Sequence, residues 1–117
     1  MQAKPMITYD DFAKLELRAA TVLSAEPHPN ADRLLKLEVD LGSEKRQICA
    51  GIRAFYDPPS SLVGKQIVVL ANLQPRTIRG EPSNGMLLAA SVQDGDQVSD
   101  VVVLESPKPV PPGSPIG

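Results

Sequence analysis

The sequence predicts an all-β chain, and three observations lead there. Short apolar runs recur between clusters of turn residues, one run alternates cleanly between apolar and charged side chains, and no strand–helix–strand alternation appears. The 117 residues read as one domain, 1–117, with a core at about residues 9–104 and a C-terminal extension at about 92–117. Hydrophobic content of 42% against 22% charged residues is ordinary for a globular chain. No run approaches the roughly 18 apolar residues that span a bilayer. The opening Met1-Gln2-Ala3-Lys4-Pro5-Met6 lacks the apolar core of a signal peptide, so a cytoplasmic protein with no membrane partner is expected.

Taken in order, Ile7-Thr8-Tyr9-Asp10-Asp11-Phe12 reads as a helix start. Thr8 is the N-cap, Asp11 the acidic residue three positions on, and Ile7 with Phe12 a hydrophobic staple. The helix is short and is expected to end near Leu15. Leu17 to Glu26 follows as a strand, weakened by Ala19-Ala20. Pro27-His28-Pro29-Asn30-Ala31-Asp32 is a turn cluster. Leu35 to Leu41 is the clearest strand, because Leu35, Leu37, Val39 and Leu41 alternate with Lys36, Glu38 and Asp40. Gly42-Ser43-Glu44-Lys45 is a hairpin connection to a third strand, Arg46 to Ala50. Gly51 to Leu62, with its aromatics and prolines, reads as a loop with a helical turn across one end of a sheet. Gln66 to Leu70 is a fourth strand that looks buried on both faces. Met86 to Ala90 is a fifth, and Val98 to Leu104 a further one beyond an Asp94-Gly95-Asp96 turn. The proline-rich tail, Pro107 to Gly117, is compatible with packed extended chain or with a disordered end.

Between the fourth and fifth strands lies Asn72-Leu73-Gln74-Pro75-Arg76-Thr77-Ile78-Arg79-Gly80-Glu81-Pro82-Ser83-Asn84-Gly85-Met86. Each proline removes a backbone donor and fixes φ, so a stiffened loop is expected here. Arg76 and Arg79 are its cations, Asn72, Ser83 and Asn84 hydrogen-bond in either sense, and Gly80 and Gly85 allow close backbone approach. Such parts suit an anionic, oxygen-rich partner, phosphate above all. The alternative is a solvated connection with two incidental arginines.

Five short strands with a long third-to-fourth connection point to a small five-stranded β-barrel of the OB type, with short helices and a C-terminal dimerisation extension. In that fold the loop between the fourth and fifth strands helps form the binding face. A spare strand and an extended tail are material for covering an edge or for pairing with a second subunit.

The chemistry in the sequence is that of binding. The net charge of −2 excludes nucleic-acid binding by bulk electrostatics. Residues 72 to 90 nevertheless carry Arg76 and Arg79 against Glu81 alone, while residues 91 to 106 carry Asp94, Asp96, Asp100 and Glu105 without a cation. A polyanion would have to be gripped at a small patch. The single cysteine, Cys49, forms no internal disulfide and sits in apolar surroundings, as a small hydrophobe does. One histidine, His28, and scattered carboxylates leave no catalytic or metal-binding set, so neither an enzyme nor a cofactor is expected.

Four segments in this order carry a resemblance: Pro27-His28-Pro29-Asn30-Ala31-Asp32-Arg33-Leu34, Cys49-Ala50-Gly51-Ile52, Asn72-Leu73-Gln74-Pro75-Arg76-Thr77-Ile78-Arg79-Gly80 and Ser83-Asn84-Gly85-Met86. Together they resemble the tRNA-binding domain found at the C-terminus of methionyl-tRNA synthetases. The domain also occurs free-standing, in the p43 auxiliary factor, and in phenylalanyl-tRNA synthetase β chains. The resemblance runs from about Tyr9 to the Pro-Gly-Ser near the end, and the initiating methionine and this length suggest a whole chain. It implies an OB-fold homodimer, formed through the C-terminal extension, that binds the outer corner of tRNA by shape and backbone. Association with an aminoacyl-tRNA synthetase chain is implied as well. Arg76 and Arg79 would meet phosphates, Ser83, Asn84, Gly85 and Met86 would line the same surface, and Asn30 and Arg33 would sit beside it. Asn72 is implicated too, more as a brace of the loop. Gln74 stands where the family often has lysine, which implies weaker or more salt-sensitive binding. The alternative is a secretion-related chaperone of the same fold that binds peptides. That branch lacks the Asn-Ala-Asp-Lys/Arg-Leu run and the Arg-Gly…Ser-x-Gly-Met signature, both present here. A nonspecific single-strand binder would want aromatic platforms on its strands, and Tyr9, Phe12, Phe55 and Tyr56 all fall outside them.

Overall fold

The computed structural model describes residues 3–117. A helix α1 (Tyr9–Ala13) precedes β1 (Leu17–Pro27), β2 (Leu35–Asp40) and β3 (Lys45–Ala50). Two 3-10 turns, Arg53–Phe55 and Pro59–Leu62, lead into β4 (Gln66–Leu70). There follow β5 (Arg76–Ile78), β6 (Glu81–Ser83), β7 (Met86–Leu87), β8 (Ala89–Asp94), β9 (Gln97–Val103) and β10 (Pro115–Ile116).

The main sheet runs β3-β2-β1-β4-β7, with β10 also on β1. β1 is long enough to serve both neighbours: residues 21 to 27 pair with β2, and residues 17 to 21 pair with β4. A bulge between Val22 and Ser24 bends it, as a barrel wall requires. The ends of the path then meet. Asn84 N–H donates to Gln47 O (2.9 Å), Cys49 N–H to Ser83 Oγ (3.0 Å) and Gln47 Nε2 to Pro82 O (2.9 Å). The result is the expected all-β, curled OB-type barrel.

The alternation of β2 delivers Leu35, Leu37 and Val39 into the core, where they pack with Val22, Ile48, Leu62, Ile67, Val69 and Leu87. Five expectations need correction. α1 stops at Ala13 with Lys14 as its C-cap, short of Leu15. Its Thr8–Asp11 capping box forms, but Ile7 stays two-thirds exposed and no α1 residue is buried. In β4 only Ile67 and Val69 are buried, because the other face is partly open. The fifth strand is broken at Leu88 into β7 and β8, and β8 runs on to Asp94 to form a separate two-stranded ribbon with β9. The stretch read as a loop contains its own hairpin, β5–β6. The tail is packed chain: β10 lies on β1, Gly113 N–H donates to Ala19 O (2.7 Å), and the Gln66 side chain bonds both the N–H and the carbonyl of Val110.

Candidate nucleic-acid interface

Ile78 and Glu81 close the β5–β6 hairpin, leaving Arg79-Gly80 as a two-residue turn. Both turn residues have positive φ (51° and 88°), the pattern of a type I′ turn that matches strand twist. Glycine takes that conformation freely, whereas Arg79 is held there against its preference. Pro82 is compatible with this ribbon because it lies opposite Thr77, next to the closing pair. At that position of an antiparallel ladder the N–H points away from the partner strand, so its absence breaks no bond.

The turn after β1 clamps the hairpin tip. Asn30 Nδ2 donates to Arg79 O (3.1 Å), and His28 Nε2 lies 2.8 Å from Ile78 O. A carbonyl only accepts, so Nε2 carries the hydrogen. Nδ1 accepts from Asn30 N–H (2.9 Å), so it is bare and the ring is neutral. His28 is 3% exposed.

From behind, the ribbon is anchored by Glu81 and Ser83. Glu81 accepts from Lys36 Nζ (2.9 Å) and from Gln47 Nε2 (3.3 Å), and Lys36 also pairs with Glu26 (3.2 Å). The Lys36 ammonium holds the Glu81 carboxyl below its usual range, and Glu81 in turn holds Lys36 above its own. The one carboxylate of the hairpin is thus neutralised beneath it. Ser83 is buried, its hydroxyl accepting from Cys49 N–H and donating to Gly85 O. Gly85 has φ 115°, and a Cβ there would meet Leu70 O at 3.1 Å. Burial pushes the Cys49 thiol up, the reverse of a nucleophile's requirement.

Among the described residues, ion pairs engage Lys14, Arg18, Lys36, Arg46 and Lys65, whereas Arg33, Arg53, Arg76 and Arg79 have no carboxylate partner. Three of them, Arg33, Arg53 and Arg79, are joined through one set of connections, and Arg76 lies on the same hairpin as Arg79. Asn30 links the 27–34 turn to Arg79, Arg53 N–H donates to Arg33 O (3.3 Å), and Arg53 Nη1 donates to Asp32 O (3.3 Å). Arg33 and Arg53 line a cavity of about 390 Å³ with Tyr56 and Asp57. At the other end Leu73, Pro75, Arg76 and half-exposed Met86 line an apolar groove of about 370 Å³. Asn84 is half-buried beside it. Asn72 faces away: its Oδ1 accepts from Glu16 N–H (2.9 Å), and its Nδ2 donates to Lys14 O (2.7 Å).

Hydrogen bonds thus group Asn30, Arg33 and Arg79 at the hairpin tip, Arg76 and Met86 line the groove at the other end, and Asn72, Ser83 and Gly85 make supporting contacts. Sequence reading missed Arg53 and the part played by His28. The first could have been found, because the β2–β3 register pairs Leu35 with Ala50 and so carries Arg53 back beside Arg33.

An OB-type barrel with an arginine-bearing hairpin clamped over one end is a nucleic-acid-binding architecture. Residues 17–115 match the family model described as "Putative tRNA binding domain", and the chain belongs to that family. Methionine–tRNA ligase of Chlorobium limicola is 55% identical over 95 residues, covering 81% of the chain and 13% of the ligase. The chain thus spans a small part of the curated relatives it matches. A MetRS-related protein from Pyrococcus horikoshii superposes with a TM-score of 0.87 at 33% identity, covering 97% of this chain and 100% of that one. The chaperone CsaA of Bacillus anthracis gives 0.83 at 33% identity, with the same coverage. No helix among the described residues is long and apolar enough to cross a membrane.

Proposed function

We propose that this chain is a non-catalytic module that grips the outer corner of tRNA by its shape and its phosphates. One observation carries the reading: Arg33, Arg53, Arg76 and Arg79 form no ion pair among the described residues, and hydrogen bonds tie the turn that carries Arg33 both to Arg53 and to the Arg79 hairpin. Guanidinium forks match phosphate oxygens in pairs. No strand carries an aromatic residue, which leaves shape, phosphate and 2′-hydroxyl contacts rather than base stacking. In this reading the four arginines meet phosphates, while Asn30, Asn84 and Met86 line the same surface. Ser83 and Gly85 act from within as supports, and Asn72 braces the loop from the surface. The module works in the cytoplasm beside a methionyl-tRNA synthetase catalytic chain, joined to it or in trans, and two copies pair.

The test is an anisotropy titration with unmodified tRNA, competed by single-stranded RNA and by duplex RNA of similar length. Tight tRNA binding with poor competition supports structure-specific recognition, and equal competition reduces the protein to a polyanion binder. Arg79→Ala and Arg53→Ala should each weaken binding by about 1–2 kcal/mol and flatten the salt slope by about one unit. Unchanged affinity and slope would remove the residue from the site. Absence of RNA binding at low salt, with peptides entering the Leu73–Met86 groove, would turn the reading to the chaperone function of the CsaA neighbour.

A further inference from the structure

We propose that His28 is a positioning residue for this RNA-binding face, a tautomer-specific latch that sets where Arg79 projects. The inference rests on the reading that the β5–β6 hairpin grips tRNA. A two-stranded ribbon this short does not hold itself, so its pose is set by what docks it. At the tip, docking consists of His28 Nε2–H on Ile78 O and of Asn30 Nδ2 on Arg79 O, one peptide unit apart. His28 also orders Asn30, because its bare Nδ1 accepts the Asn30 N–H. One buried imidazole thus fixes both clamps on the residue that carries the free charge, in a backbone conformation arginine does not favour.

The latch works only with Nε2 protonated and Nδ1 bare. A second proton on Nδ1 would face the Asn30 N–H, two donors in opposition, and the Asn30 clamp would loosen. The charged groups around the ring are Glu81 on β6, Lys36 on β2 bound to that carboxylate, and Glu26 on β1 bound to Lys36. Asp32 and Arg33 lie in its own turn, and Arg76 and Arg79 on the hairpin. His28 is the only histidine in the chain, so substitutions there report on this ring alone.

The experiment measures tRNA affinity of the intact chain for two substitutions that divide the ring. In His28→Asn the side-chain oxygen replaces Nδ1 and the Ile78 bond is lost. In His28→Gln the amide nitrogen replaces Nε2 and the Ile78 bond is kept. His28→Asn should weaken binding about tenfold, and His28→Gln less, about threefold, since it keeps the Ile78 bond but loses the acceptor for Asn30 N–H. Combined with Arg79→Ala, His28→Asn should add less than about twofold, since the latch acts through Arg79. Equal losses for Asn and Gln, or full additivity with Arg79→Ala, would overturn the proposal. Should His28→Asn fail to fold, the exposed Asn30→Ala in combination with Arg79→Ala carries the same cycle. If wild-type protein binds no tRNA, the functional reading fails, and the amide-exchange protection of the β5–β6 hairpin at one neutral pH, in wild type, His28→Asn and His28→Gln, still decides the latch. Protection lost in His28→Asn and largely kept in His28→Gln supports it, and equal protection in all three overturns it.

Discussion

Asn72 shows how much one side chain can settle. Both ends of its amide are engaged, accepting from Glu16 N–H and donating to Lys14 O, so it splices the chain after α1 to the turn that leaves β4. Asn72→Ala strips a partner from two backbone groups in an exposed setting. It should lower unfolding free energy by about 1 kcal/mol and the melting temperature by several degrees. The tRNA affinity of the folded fraction should not change. An unaltered melting curve would count against the splice, and a selective loss of affinity would place Asn72 on the RNA. The sequence marked Asn72 as a brace but could not show what it braces, because its partners lie 58 and 56 residues away. Ser83 illustrates the same limit. A serine in a polar stretch reads as a surface donor, whereas β3 passes behind it and turns its hydroxyl inward.

At the scale of elements, β2 was legible because period-two alternation is a local property, and its buried side chains are the alternating ones. The β5–β6 hairpin was hidden by Pro82 within it and Pro75 just before it, which argue against a central strand but not against a ribbon closed by a two-residue turn. Its docking depends on Lys36–Glu81, and the two shifts give the sign of the pH dependence. Glu81 is held low, so its contribution is complete above the ordinary carboxylate range and fades as pH falls through the lowered value. Lys36 is held high, so its contribution is complete below the ordinary lysine range and fades as pH rises through the raised value. Glu81→Gln should therefore reduce the urea midpoint at pH 7, and the gap from wild type should narrow as pH falls below the ordinary carboxylate range and Glu81 takes up its proton. A gap that persists in acid would mean that Glu81 acts through packing rather than charge.

The whole molecule poses the question of what covers its remaining apolar surface. The tail that composition left undecided is a strap on β1. Leu41 O lies so close to Gly113, whose φ is 86°, that a Cβ would sit 2.1 Å from it, and no sequence signal gives that approach. The strap belongs to its own barrel, so removing residues after Leu104 would uncover β1 as well as any subunit contact. The β8–β9 ribbon offers a cleaner test. Val101 and Val103 turn toward the core, while Val92, Val102 and Leu104 remain 47%, 46% and 42% exposed, with Met6, Ile7 and Tyr9 exposed on the segment around α1. Burying side chains of this kind is worth about 1.5–3 kcal/mol each, enough in combination to hold a second copy. We therefore expect sedimentation of a dimer at micromolar concentration, and a monomer for Val102→Asp, which places a charge in that face without touching the strap. Two arginine faces on one particle raise affinity by effective concentration, so Val102→Asp should also weaken tRNA binding while leaving the relative effect of Arg79→Ala unchanged. A wild-type monomer, or a Val102→Asp dimer, would clear the ribbon of this role and leave a single four-arginine face to supply the whole of the affinity.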